Sequence, residues 1–379
     1  MTQPTPLDSV STLYGAPLSL YTGRARSYLI KAGIPYRETM PITEHYLTNV
    51  SPLAGGRQSM PTLELPDGGV IRDGVAIIDH FEKHRSHEFS PTTPKQRIVS
   101  RLFDVVGAEG LLRPAMHYRW DFPEQNLAFL QYHFQAAMPR GPGRKERADK
   151  AMDRMRSAGK AFGAVPETFE TIETHYIEFL KILDSHFLDQ PYLLGGKPSV
   201  ADFGMLAPLH AHLGRDPGPL SLMQAHAIRV FRWVERMNRP ELDVGEFEIQ
   251  DGQYLAADEI PDSLVDVLKH IAIDFVPETQ AAAACINDWI SQQDDLEPGT
   301  ACPRGVGMAN FQLKGVTINA LAQPFRFYLL KRVQDEFESL DKQQQEDVTS
   351  LLDTCDMTGL LKTTLSREIG RLNNLEVWL

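Results

Sequence analysis

The 379-residue chain is poor in cysteine: Cys285, Cys302 and Cys355 are far apart and odd in number. That excludes a disulfide framework and any paired-cysteine zinc motif, and it points to a reducing compartment. No apolar run is long enough to cross a bilayer, so no membrane partner is expected. Basic charge is not in excess either. Its 38 Lys and Arg stand against 50 Asp and Glu, and the formal net charge of −12 argues against a dedicated nucleic-acid binder. The opening MTQPTPLDSVSTLYG lacks a basic stretch followed by an apolar one, so no secretory signal is expected and a cytoplasmic protein is. No internal repeat or low-complexity tract is visible. What is there is ordinary globular material, 42% hydrophobic and 23% charged, in a chain long enough for two or three domains.

The first eighty-odd residues alternate between extended and helical patterns. VSTLYG reads as a strand, residues 22–32 as a helix stopped by Gly33, and PYRETMP as a second strand. After the Pro/Gly-rich loop SPLAGGRQ, the segment SMPTLELPDGGVIRDG reads as a hairpin turning at Asp67-Gly68-Gly69, and GVAIIDHFEKH as a helix. At the first strand-to-helix junction stands SLYT, Ser19 to Thr22. A helix start presents unpaired N–H groups and favours anions, thiolates included. The plain reading of Ser19 is an N-cap.

From about residue 95 onward, apolar residues recur at helical spacing. QRIVSRLFDVVGAEGLL and TFETIETHYIEFLKILDSHFL read as long amphipathic helices, and RKERADKAMDRMR as a solvated helix face. In GGKPSVADFGMLAPLHAHL, Ser199 and Asp202 form a capping box: the hydroxyl accepts from the Asp202 N–H and the carboxylate reaches back to the Ser199 N–H. Asp202 is therefore read as a folding residue. Beyond residue 240, SLVDVLKHIAIDFVPETQAAAACINDWI should be helical, as should ALAQPFRFYLLKRVQDEFESL, kinked at Pro324. His210 and His212, two apart on a helix, face different ways, and no histidine spacing suggests a metal.

Three of these stretches, in this order and spacing, resemble the glutathione transferase superfamily over roughly residues 10 to 240. LYGAPLSLYTGRARSYLIKAGIPYRE is similar to the family's opening strand, active-site loop and first helix. MPTLELPDGGVIRDGVAIIDHFE is similar to its cis-proline hairpin and glutathione-binding helix start, and YLLGGKPSVADFGMLAPL to the capping-box helix of its second domain. The resemblance implies an α+β protein. A thioredoxin-like α/β domain (10–88) precedes an all-helical substrate domain (95–240), and a mostly helical extension (241–379) is expected to pack on the latter.

The resemblance also implies site residues. Ser19 and Thr22 fall where relatives keep Cys or Ser, so SLYT stands in place of a CPYC-like motif, and a hydroxyl there can donate to the glutathione sulfur. With no Cys at either position, a covalent redox cycle is not available. Tyr21 and Tyr14 are the other candidate hydroxyls. Met60 and Pro61 fall on the cis-proline, whose preceding residue pairs with the glutathione backbone. Asp73 and Gly74 fall where the family has an acid, which holds the α-ammonium group, followed by Ser, which holds the carboxylate. Gly74 lacks that hydroxyl, and a plain N-cap remains open for Asp73. Arg24 and Arg26, on the first helix, are expected at the surface, at a dimer interface or as ligands, with no preference between these. Of the cluster His117, Tyr118, Arg119 and Trp120, the two larger rings are candidates for an acceptor pocket; burial between helices is the alternative. The expected protein is a cytoplasmic homodimer that uses glutathione as co-substrate, with no metal, against an electrophilic small molecule. The competing expectation is a binding or assembly module of the same fold with little or no catalysis.

Overall fold

The N-terminal unit is built on a four-stranded sheet in the order β2-β1-β3-β4. Strands β1 (Ser11–Tyr14) and β2 (Tyr36–Thr39) run parallel, whereas β3 (Thr62–Glu64) and β4 (Val70–Arg72) complete the sheet antiparallel. A computed structural model of the chain describes residues 10–57, 59–248 and 252–379. The first nine residues, Gln58 of the SPLAGGRQ loop and residues 249–251 of the segment after the second domain lie outside the described residues. Leu13 and Leu63, directly paired across β1 and β3, bury against Ala25, Leu29 and Ile77 of the helices Leu20–Lys31 and Gly74–His84. This is the thioredoxin-like arrangement. Gly33 stops the first helix at φ 62°, a conformation that costs glycine little.

Helices follow. Pro94–Val105 does not continue to Leu112 as a single α-helix: residues Val106–Gly110 form a π-helical turn, and a new helix runs Leu112–Trp120. The reason is close backbone contact. A Cβ on Gly107 would stand 2.1 Å from the carbonyl oxygen of Gly204 in helix Val200–Ala211, so the turn lies directly against that helix. The helix Phe169–His186 lies alongside Asp262–Ser291, and Pro324–Glu338 packs on Pro94–Val105. Leu264, Phe275, Phe327, Leu330 and Trp378 share one buried cluster with Leu102, Phe103, Leu183 and Phe203.

The region beyond residue 240 is mostly helical but holds two hairpins that the helical reading passed over. Strands β5 (Met308–Leu313) and β6 (Val316–Leu321) pair antiparallel, as do β7 (Ile369–Leu372) and β8 (Leu375–Trp378). The expected helix with a kink at Pro324 is thereby corrected. Ala320 and Leu321 belong to β6, and Pro324 opens the helix, where its missing N–H has no intrahelical partner to lose. Among the described residues, no helix is long and apolar enough to cross a membrane.

Candidate thiol site at the sheet end

Pairing of Tyr14 with Thr62 brings the loop after β1 and the loop before β3 to the same end of the sheet. The first ends at Ser19 and the second at Pro61, whose peptide bond from Met60 is cis. The Asp73 N–H donates to the Pro61 carbonyl at 3.0 Å, so the start of helix Gly74–His84 joins them. Ser19, Pro61 and Asp73-Gly74 are thus assembled by backbone geometry alone.

Ser19 caps helix Leu20–Lys31. Its half-buried Oγ accepts from the Thr22 N–H at 3.3 Å, which leaves its own proton free to donate. The two tyrosine hydroxyls donate elsewhere, and burial sets Thr22 apart. Thr22 is fully buried, and its Oγ1 accepts from Ala16 N–H at 3.4 Å. Tyr21 donates to the Ala108 carbonyl at 3.1 Å, and burial, then Glu109, push its pKa up. Tyr14 donates to Glu64 at 2.7 Å, and burial, then Glu64, push its pKa up as well. Met60 is 37% exposed beside this junction.

The Asp73 carboxylate is occupied on both oxygens. Oδ1 caps its helix by accepting from Val75 and Ala76 N–H at 2.8 and 2.9 Å, and Oδ2 is bonded by the Arg371 guanidinium. Gly74 has a steric reason for lacking a hydroxyl. A Cβ there would stand 3.0 Å from the Tyr21 carbonyl and 3.3 Å from Arg24 Cδ.

Sequence reasoning missed Arg371. It belongs to the β7–β8 hairpin, which lies along the free edge of β4. The Asn374 side-chain amide donates to the carbonyls of Leu53 (3.0 Å) and Val70 (2.9 Å), and its oxygen accepts from Arg72 N–H (3.1 Å). One amide therefore satisfies the outward-facing groups of the edge strand, as a neighbouring strand would. Glu376 takes the Arg72 guanidinium at 2.6 and 2.8 Å, and Arg371 also reaches the Arg72 carbonyl. The sequence signal for the hairpin was the Asn373-Asn374 pair, both at positive φ, between alternating apolar residues.

Arg24 is not at a surface or dimer interface: it is 1% exposed and paired with Asp104, which also meets Arg332 at 3.2 Å. Arg26 makes two 2.6 Å bonds to Glu38. Tyr118 and Trp120 are 4% and 5% exposed, so filling space between helices describes their position better than lining an open pocket. Tyr118 stacks on Phe122, while Trp120 belongs to a small buried cluster against which Leu18, just before Ser19, packs. Arg119 fixes the same loop. It grips Asp216 at 2.6 and 2.9 Å and donates to the Leu18 carbonyl at 3.1 Å. His212 is bound to Ala115 O and Arg119, whereas His210 lies against Gly23.

Near Tyr21, Glu109 is buried with Oε2 unpartnered among the described residues. Burial pushes its pKa from the ordinary 4.5 up to about 7, against the pull of Arg326. Because the folded value is the higher one, this group's stabilising contribution is complete below about pH 4.5 and is lost as pH rises through about 7. At roughly 1.4 kcal/mol per tenfold in proton affinity, the loss is about 3 kcal/mol. Glu109→Gln should flatten that part of the stability–pH profile in urea unfolding and be the more stable protein at pH 8. Equal slopes in both proteins would refute the assignment.

No curated protein matches the sequence. Among solved structures, the chain is similar to a GST-like protein from Pseudomonas syringae, at 18% identity over 60% of this chain and 66% of that one, with a TM-score of 0.41. It is also similar to a glutathione S-transferase from Sinorhizobium meliloti 1021 (15% identity, 68% and 99% covered, TM-score 0.40). A third is a glutathione transferase family member from Pseudomonas fluorescens pf-5 with two glutathione bound (15% identity, 63% and 93% covered, TM-score 0.38). Residues 13–91 match the family model of the glutathione S-transferase N-terminal domain, so the N-terminal unit belongs to that domain family.

Proposed function

We propose that the chain is a cytoplasmic, homodimeric glutathione-dependent transferase or lyase that activates the glutathione thiol for attack on an electrophilic small molecule. In this reading residues 10–88 bind glutathione, 95–240 shape the acceptor side, and 241–379 form an extension packed on the helical domain. The observation that carries it is the Ser19 hydroxyl. It stands at a helix N-terminus with its proton unspent, at the sheet end shared by Pro61 and Asp73. A donated hydrogen bond and the helix-start N–H groups both favour a thiolate over a thiol. The reaction then needs no group beyond the two substrates: the thiolate sulfur bonds to the electrophilic carbon and the leaving group departs with its electron pair.

Ser19→Ala tests this directly. A hydrogen bond to a charged group is worth about 1.5–3 kcal/mol, so turnover with a generic electrophile should fall about ten- to hundredfold. The pKa of the bound thiol should rise, while glutathione affinity stays within about threefold. Unchanged turnover would remove Ser19 from the mechanism.

One observation favours the second reading, a binding or assembly module of the same fold: Arg371 already sits on Asp73. Retention on immobilised glutathione together with turnover supports the enzyme. Neither retention nor turnover supports the module.

A further inference from the structure

The two long helices Phe169–His186 and Asp262–Ser291 bring together a side-chain group that sequence spacing hides. His175 and Glu178, three residues apart, share one face of the first helix. His270 comes from the second helix, 95 residues away in sequence. One potential ligand atom from each residue lies within 4.8 Å of the others. The imidazole rings of His175 and His270 are stacked, with centroids 4.1 Å apart and planes inclined by 20°.

The histidines are held in a particular way. His270 Nε2 lies 2.9 Å from the backbone carbonyl oxygen of His175. The carbonyl can only accept, so the ring proton belongs on Nε2 and Nδ1 keeps its lone pair. A metal-binding imidazole is commonly fixed like this, with one nitrogen donating to a backbone carbonyl and the other turned to the ion. His175 Nδ1 is buried and has no hydrogen-bond partner among the described residues. A cavity of about 30 Å³, room for a water molecule, is lined by both histidines and by Asp274, one turn on from His270. Asp274 Oδ1 is likewise buried without a partner, while Oδ2 takes Arg113 at 2.6 Å. A native interior rarely leaves such atoms unpaired.

We propose that His175, Glu178 and His270 form a divalent-metal site, separate from the thiol site, with a water on the cavity side completing the coordination shell. Two imidazole nitrogens and one carboxylate oxygen suit a borderline ion such as Zn²⁺, Co²⁺ or Ni²⁺, and not Mg²⁺ or Ca²⁺. Ligand distances near 2.0–2.2 Å require the three atoms to draw about 1 Å closer, by a swing of the Glu178 carboxylate and a turn of the half-buried His175 ring out of the stack, so that the in-plane lone pairs of the two rings converge. Glu178 is the ligand able to move, since its side chain is 44% exposed. It is now paired with the Lys314 ammonium, carried on the turn between β5 and β6. That ammonium is a cation competing for the same carboxylate, and the metal displaces it. Once bound, the ion clamps helix Phe169–His186 to helix Asp262–Ser291 of the C-terminal region.

The test is titration of the untagged full chain with Co²⁺, read by its visible absorption, and with Zn²⁺ by calorimetry. One equivalent per chain is expected, with the nitrogen-ligated Co²⁺ spectrum. His270→Gln and His175→Gln should each weaken binding about ten- to hundredfold, and Glu178→Gln should weaken it about tenfold without shifting the thermal melt. Lys314→Ala should tighten it severalfold by releasing Glu178. If the two histidine substitutions misfold, the Glu178 and Lys314 pair still decides, because opposite shifts are required of them. Absence of binding at millimolar metal, or affinity unaltered by Glu178→Gln and Lys314→Ala, overturns the site.

Discussion

Replacing Arg371 by alanine is expected to tighten glutathione binding about ten- to hundredfold. In the proposed site Asp73 holds the α-ammonium of the γ-glutamyl group, but the free Asp73 oxygen is taken by the Arg371 guanidinium. Both partners are 16% exposed in their side chains, so water screens the pair only partly. A charged hydrogen bond of about 1.5–3 kcal/mol must be given up before the ammonium can replace it, and removing the arginine removes that cost. The hairpin should stay in place, because Asn374 still bonds Val70, Arg72 and Leu53, and Glu376 still bonds Arg72. Calorimetry with glutathione on both proteins decides. Weaker binding in the variant would make Arg371 a ligand-holding residue. No binding by either protein would sink the glutathione reading itself, since Asp73 would then be free and still idle.

This competition was invisible in the sequence for a physical reason. Arg371 and Asp73 are 298 residues apart, and no local periodicity reports a contact of that separation. What was legible was local. The N-cap at Ser19, the stop at Gly33 and the turn at Asp67-Gly68 each encode their conformation within a few residues, and together they placed all four strands of the first sheet. The β5–β6 hairpin was legible too, and was read past. Ala309, Phe311 and Leu313 alternate inward before a Lys314-Gly315 turn, and Ile318 and Ala320 alternate after it. The apolar run ahead of Pro324 reads as the start of a helix only if Pro324 is a kink; as the first residue of its helix it leaves that run to the strand. Arg24 shows the opposite case. Its position on the first helix suggests a ligand, solvent or a partner chain, yet Asp104, which it shares with Arg332, comes from elsewhere in the chain to neutralise it in the interior.

The capping box legible at Ser199 and Asp202 is present, and Asp202→Ala is expected to cost about 3–5 kcal/mol, well beyond the roughly 1 kcal/mol of an ordinary cap. The geometry explains the difference. Asp202 Oδ2 accepts from the Ser199 N–H at 2.8 Å and from the Ser199 hydroxyl at 3.0 Å, so the hydroxyl donates to the carboxylate as well. Oδ1 accepts from Leu193 N–H at 3.0 Å and from the Trp233 indole N–H at 3.1 Å. Four donors therefore converge on one fully buried carboxylate, and it ties the start of helix Val200–Ala211 to the preceding loop and to helix Ile228–Met237. Alanine leaves all four donors buried and unpaired, each a desolvation cost of about 1–3 kcal/mol, reduced where the structure relaxes or water enters. Asp202→Asn keeps one acceptor oxygen but sets an NH₂ group against N–H or O–H donors, so it should recover only part of the loss. Urea unfolding of the three proteins measures the series. The Ser19-dependent turnover, taken per folded molecule, should be unaltered by either substitution. A variant that unfolds like the parent yet loses turnover would show that Asp202 acts on the chemistry, and not on the fold that carries it.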